Sequence, residues 1–142
     1  MVDEEVVATK LRQAHEYTND LEEMRGISKA EYVSDVVIQR AVERTLMNLI
    51  QARIDLAQHV RATNGLSSGG TAKDEIQALG ELGIISQDTR ERIEEAVGFR
   101  NVLAHRYGEV DHEVVYEVLH EDLHWFERFQ RDVAGWLRDR DS

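Results

Sequence analysis

Val33-Ser34-Asp35-Val36-Val37-Ile38 is the β-branched run on which the fold class turns. Valine and isoleucine favour strands, yet the apolar positions around this run continue at helical spacing through Ala41, Leu46, Ile50, Ile54, Ala57 and Val60. Ser28-Lys29-Ala30-Glu31 just upstream fits a capping box, and Asn64-Gly65 supplies a stop. The pattern therefore predicts one long helix from Ser28 to Asn64, about 50 Å at 1.5 Å per residue. Ile38, Val42 and Leu49 lie off its main stripe, as expected of a central helix touched on two sides.

Working outward, Val6, Val7, Leu11, Ala14 and Leu21 give a first helix from Asp3 to Met24, with Gly26 as its stop. Leu66-Ser67-Ser68-Gly69-Gly70 reads as a flexible loop; no lysine follows Gly70 directly, so it is not a phosphate-binding P-loop. A short third helix spans Ala72 to Leu82 and closes at Gly83, and Ile84-Ile85 packs as a connector. Ser86 or Asp88 caps a fourth helix that fades at Tyr107-Gly108, and Asp111 caps a fifth. With no sustained alternation anywhere, the expectation is an all-α bundle of five helices. The fifth helix carries a core stripe (Val115, Val118, Leu119, Leu123, Phe126, Val133, Leu137) and a flanking band of Trp125, Phe129 and Trp136. That band is covered either by a second copy of the chain or by packing within one chain.

The 142 residues, 42% of them hydrophobic, suit a single domain over 1–142 with its own core. There is no cysteine, which excludes disulfides, thiolate catalysis and thiolate metal sites. No apolar run approaches the roughly 20 residues that span a bilayer, and the first residues are acidic, so a cytoplasmic protein without a membrane segment is expected. Asp plus Glu number 28 against 17 Lys plus Arg, and the only lysines are Lys10, Lys29 and Lys73. A net charge of −11 repels polyanions at long range, so nucleic-acid binding requires a local arginine cluster. An acid-rich, lysine-poor surface also suits a salt-rich cytoplasm, where ions screen the self-repulsion.

Chemistry concentrates in Arg100-Asn101-Val102-Leu103-Ala104-His105-Arg106-Tyr107. Ile93, Ala96, Val97, Ala104 and Tyr107 form a stripe that assigns position 100 to the apolar face, and that position holds an arginine. Residues 100, 101, 104 and 105 tile one helical patch, with the small Ala104 leaving room between Arg100 and His105 and Asn101 one turn before the imidazole. Arginine grips phosphoryl oxygens bidentately and histidine passes protons near neutral pH, so the set suits phosphate chemistry without a metal. The alternative is structural: His105 and Arg106 complement the helix dipole, and Arg100 pairs with a buried carboxylate such as Glu43. Arg40 and Glu43, one turn apart, either pair with each other or line the same cleft.

A second motif competes. His120-Glu121-Asp122-Leu123-His124 spells the H-E-x-x-H of zinc proteases. Asp122 inside it, the lack of an evident third ligand and the short remaining chain favour a solvated helix face. His15, His59 and His112 stand alone, in surface or capping roles.

Gly98-Phe99-Arg100-Asn101-Val102-Leu103-Ala104-His105-Arg106-Tyr107, followed by Val110-Asp111, resembles the signature of the HepT-like proteins of the HEPN superfamily: arginine, a polar residue, then histidine, one residue and tyrosine. The similarity extends to Glu81-Leu82-Gly83-Ile84-Ile85 and to Arg40-Ala41-Val42-Glu43. It implies an HEPN-type up-and-down bundle and a metal-independent, cofactor-free endoribonuclease, the toxin of a toxin-antitoxin pair, with tRNA the expected substrate class. It further implies a composite site in a homodimer cleft. There Arg100 holds the scissile phosphate, His105 acts as acid or base toward the ribose 2′-hydroxyl and Asn101 orients them. The implied partner is a minimal nucleotidyltransferase antitoxin that transfers AMP to the Tyr107 hydroxyl. The contrasting expectation is a non-catalytic HEPN module that binds nucleotides or a partner through the same residues.

Overall fold

The computed structural model describes residues 4–67, 69–105 and 107–140. They form α1 (Glu4–Met24), α2 (Lys29–Ser34), α3 (Val36–Thr63), α4 (Ala72–Glu81), α5 (Gln87–His105), a 3₁₀ turn (Tyr107–Glu109), α6 (His112–Glu117), a π-helical turn (Val118–Asp122) and α7 (Leu123–Arg140). No strand occurs among the described residues, as the periodicity predicts.

The deciding run is not a strand, but neither is it continuous helix. Asp35 stands between α2 and α3 in an extended conformation (φ −116°, ψ 103°). Its carboxylate accepts from the backbone N–H groups of Val37 (3.0 Å) and Ile38 (3.2 Å), so it caps α3. An aspartate that can satisfy these donors locally competes with helix continuation, and the expected single helix is divided there. The break leaves Tyr32 fully buried while Val36 and Val37 stay exposed. The remaining 28-residue α3 is about 42 Å long and is the hub, packing against α1, α4 and α5.

The last helix differs as well. Between α6 and α7 the chain takes a π turn, with Val118 and Leu123 still in the right-handed region, so the axis continues while the side-chain register shifts. Counting α6, the π turn and α7 as one rod gives six rods among the described residues instead of five; the extra one is α2. α7 packs on α1 and α5, and α2 packs on α6.

Leu46, Leu49, Ile50 and Leu56 of α3 meet Leu21 of α1, Ile76 and Leu79 of α4, Ile93 and Val97 of α5, and Leu119, Phe126 and Val133 of the last rod in one core. Phe129 belongs to that core and is fully buried, while Trp125 and Trp136 pack partly buried against it. The aromatic band thus finds much of its cover within the chain, so by itself it does not call for a second subunit. Ser86, not Asp88, caps α5 by accepting from the Thr89 N–H (3.2 Å), and Asp111 caps α6 through the Glu113 N–H (3.0 Å). Gly65 and Gly83 end α3 and α4 with positive φ (both 74°), whereas Gly26 has no positive φ and α1 stops without a left-handed residue. No helix among the described residues is long and apolar enough to cross a membrane.

Candidate functional site

α5 presents Thr89, Ile93, Val97 and Leu103 to the core. The stripe therefore runs to Leu103, not to the expected Ala104, which is only partly buried. Arg100 lies between Val97 and Leu103 on this boundary. It is partly buried, its Nε is buried without a hydrogen-bond partner, and it makes no salt bridge among the described residues. The buried ion pair with Glu43 does not form; the Arg40 guanidinium pairs with Glu43 Oε2 at 2.8 Å instead. Arg100 is thus left with unused donors.

Asn101 and His105 face solvent, and no hydrogen bond joins them. His105 ends α5 in its last turn, where a cation complements the helix dipole. Arg106 and the Tyr107 side chain lie outside the described residues; the Tyr107 backbone opens the 3₁₀ turn.

Arg40 and Glu43 both pair and line a groove. With Arg44, Met47 and Leu103 they enclose about 370 Å³ between α3 and the end of α5. Glu43 is 6% exposed and its Oε1 is buried without a partner, while the Arg40 side chain is 54% exposed. Burial, reinforced by the Glu43 charge, pushes the nearby Tyr32 hydroxyl well above the usual phenol range. Arg44, which sequence periodicity treats as an ordinary exposed residue, joins this groove because α3 lies beside the end of α5.

The H-E-x-x-H segment straddles the π turn and does other work. The His120 ring nitrogens face the main-chain carbonyls of Arg25 (2.7 Å) and Tyr116 (3.0 Å), and the Arg25 guanidinium donates back to the His120 carbonyl (2.9 Å). His124 Nδ1 lies 2.9 Å from the Glu121 carbonyl. His120 thus clasps the end of α1 to the π turn, with its nitrogens engaged by backbone. Among the described residues no group of three or more His, Asp or Glu side chains could hold a metal ion. His59 and His112 are partly buried, each with one ring nitrogen buried and unpartnered, rather than simple surface residues; His15 is exposed.

A cavity of about 190 Å³ between α3, α5 and the π turn was not legible in the sequence. Phe99, Trp125 and Phe126 wall it, and the charged side chains Arg92, Glu95 and Asp122 also line it. The Trp125 ring has the Arg92 and Arg128 guanidinium carbons 5.4 and 4.8 Å from its centroid. Arg128 is one turn from Trp125 and could have been anticipated; Arg92 comes from another helix and could not.

The arrangement is that of a small all-α HEPN bundle. The fold superposes with a TM-score of 0.86 on a tri-AMPylated Shewanella oneidensis HEPN toxin in complex with MNT antitoxin (23% identity, 95% of this chain, 99% of that one). A toxin-antitoxin structure with AMP-PNP gives the same score at 21% identity, covering 92% of this chain and 98% of that one. The family model "Ribonuclease HepT-like" matches residues 14–133, and the chain belongs to the HepT-like family. Curated relatives include the tRNA nuclease HepT of Aphanizomenon flos-aquae (strain 2012/KM1/D3), 25% identical over 93% of this chain and 90% of that protein. The mRNA nuclease HepT of Shewanella oneidensis is 27% identical over 70% of this chain and 75% of its own length.

Proposed function

We propose that this chain is a metal-independent RNA endonuclease, the toxin of a HEPN/MNT pair, acting as one cytoplasmic domain with its site in a homodimer cleft. The observation that carries the reading is Arg100, a guanidinium without a salt bridge at the apolar edge of α5, with a solvent-facing His105 little more than one turn away. Membership of the HepT-like family and the nuclease names of its relatives support the activity; the antitoxin complexes among its fold neighbours support the partner.

The chemistry follows from the residue types. Arg100 donates to the non-bridging oxygens of the scissile phosphate and neutralises the charge that develops there. His105 takes the proton of the ribose 2′-hydroxyl, whose oxygen attacks phosphorus as the bond to the 5′-oxygen breaks. His105 of the partner subunit returns a proton to that leaving oxygen, giving a 2′,3′-cyclic phosphate and a free 5′-hydroxyl. Asn101 positions the pair once the cleft is closed around substrate. Arg40 and Arg44 flank the groove beside Leu103; Glu43 balances Arg40, so Arg44 together with Arg100 supplies the local positive charge that a chain of net charge −11 needs to hold RNA. tRNA is the substrate class expected from the relative matched over most of the chain. AMP groups transferred by the antitoxin to Tyr107 would add negative charge next to His105 and repel the strand.

Expression with and without a nucleotidyltransferase antitoxin tests this reading. Expected are growth arrest and tRNA cleavage without the partner, and rescue together with added AMP mass on the Tyr107 peptide with it. Normal growth and intact RNA without the partner would overturn it. The acidic surface favours a second reading, a non-catalytic module that binds nucleotides or a partner through Arg100 and His105; it predicts RNA binding with no cleavage.

A further inference from the structure

The cavity beneath the π turn lies on the same helix as the proposed catalytic pair. Phe99, one of its walls, immediately precedes Arg100, and along α5 it is about 9 Å from His105. At about 190 Å³ the space far exceeds the roughly 10–15 Å³ that one water needs. The π turn helps to make it: Val118 and Asp122, at the two ends of the widened turn, both line it.

Its chemistry is mixed in a particular way. Ile50, Phe99, Trp125 and Phe126 offer flat or apolar walls. Asp122 is partly buried, and no hydrogen bond or salt bridge among the described residues reaches its carboxyl. Burial pushes that carboxyl above its ordinary value, and the Arg92 guanidinium pulls it back. Arg92 and Glu95 both line it and lie 3.6 Å apart, the Arg92 side chain is 53% exposed, and the Arg92 and Arg128 guanidiniums both lie over the Trp125 indole. Aromatic walls with arginines at the mouth are what a single-stranded nucleic acid uses, stacking a base while its phosphates meet the cations.

We infer that this cavity receives one unpaired guanine of the RNA strand, stacked among Phe99, Trp125 and Phe126, with Asp122 accepting from its Watson–Crick edge and Arg92 and Arg128 holding the adjoining phosphates. The inference rests on the ribonuclease reading for its ligand. Guanine is the base whose ring N–H and amino group lie side by side, matching the two oxygens of one carboxylate. The pocket therefore fixes which nucleotide stands near the cut, a specificity function separate from Arg100 and His105.

The test uses the full chain carrying His105→Ala, to prevent cutting, and Trp136→Phe, so that Trp125 alone reports. GMP, AMP, CMP and UMP are titrated while indole fluorescence is read. GMP is expected to quench saturably and to bind about tenfold more tightly than the other three, a difference typical of one bidentate base contact. Asp122→Ala should remove that preference. Arg92→Ala, an exposed change that does not threaten the fold, should weaken all four several-fold. Absence of quenching, equal affinities for the four nucleotides, or an unchanged preference in Asp122→Ala would overturn the inference, as would quenching by an apolar peptide but not by nucleotides. Cleavage of a mixed-sequence single strand by the parent protein separates the two readings. GMP binding with no cleavage defeats the ribonuclease and leaves the pocket, whereas cleavage with no GMP binding defeats the pocket alone.

Discussion

Arg53 and Arg100 are both arginines that make no salt bridge among the described residues, and the difference between them is access to water. Arg53 is 1% exposed, sits over the Phe126 ring at 5.6 Å, and donates at 3.3 Å to the Phe126 carbonyl and to Gln130 Oε1, leaving Nε and Nη1 unpartnered. Burial pushes it down from the usual guanidinium range to about 9, and the Glu127 charge works the other way. From about pH 9 up to its unfolded value the unfolded chain therefore binds the extra proton, and the Arg53 contribution to stability rises with pH through that window. At neutral pH the buried charge opposes folding. Arg53→Met should accordingly raise the melting temperature at pH 7 by a few degrees, a gain of about 1 kcal/mol, in a calorimetric scan. A lower melting temperature would show that its two hydrogen bonds outweigh desolvation. Arg100 is placed on the edge, where its donors remain usable. Because lysine lacks the planar fork, Arg100→Lys should keep the fold but lose at least tenfold in RNA cleavage; parent-level cleavage would remove the bidentate role assigned to it.

At the scale of elements, the caps and stops were largely legible. Ser28, Ser86 and Asp111 each accept the expected backbone N–H, and α1, α4 and α5 fall within a residue or two of their predicted limits. The two misreadings share a physical origin, since hydrophobic periodicity averages over several turns and hides a single-residue event. Asp35 breaks the second helix within an apolar pattern that runs on unchanged. The π turn inserts its extra width where the core positions Val115, Leu119 and Leu123 step by four, a spacing an ordinary helix also tolerates. The candidate site divides in the same way. The Arg100 to His105 string was visible because it lies on one helix. The groove of Arg40, Arg44 and Leu103 and the Arg92–Trp125 contact join different helices, and nothing local announces them. Asp35→Ala should cost about 1 kcal/mol in urea unfolding by removing the α3 cap. No loss would mean that packing of Tyr32, rather than the cap, sets the break.

The whole molecule sets a conflict between its net charge of −11 and a polyanionic substrate. The proposed resolution is local: Arg44 and Arg100 lie toward the end of α5 without a salt bridge among the described residues, so binding should be a short-range affair with a limited number of phosphate contacts. With two such contacts to a single strand, affinity should fall about sevenfold between 50 and 200 mM salt in a titration with the His105→Ala protein. A salt-independent affinity would mean that these arginines do not hold the backbone. The proposed second subunit would serve the same end, doubling the arginines at one cleft and supplying a second histidine. The most direct test of the account is RNA cleavage by purified protein in excess EDTA, comparing the parent with His105→Ala. The parent should cut and leave 2′,3′-cyclic phosphate ends, with His105→Ala at least a hundredfold slower. Cleavage by His105→Ala at the parental rate, or a parent silenced by EDTA, would contradict it.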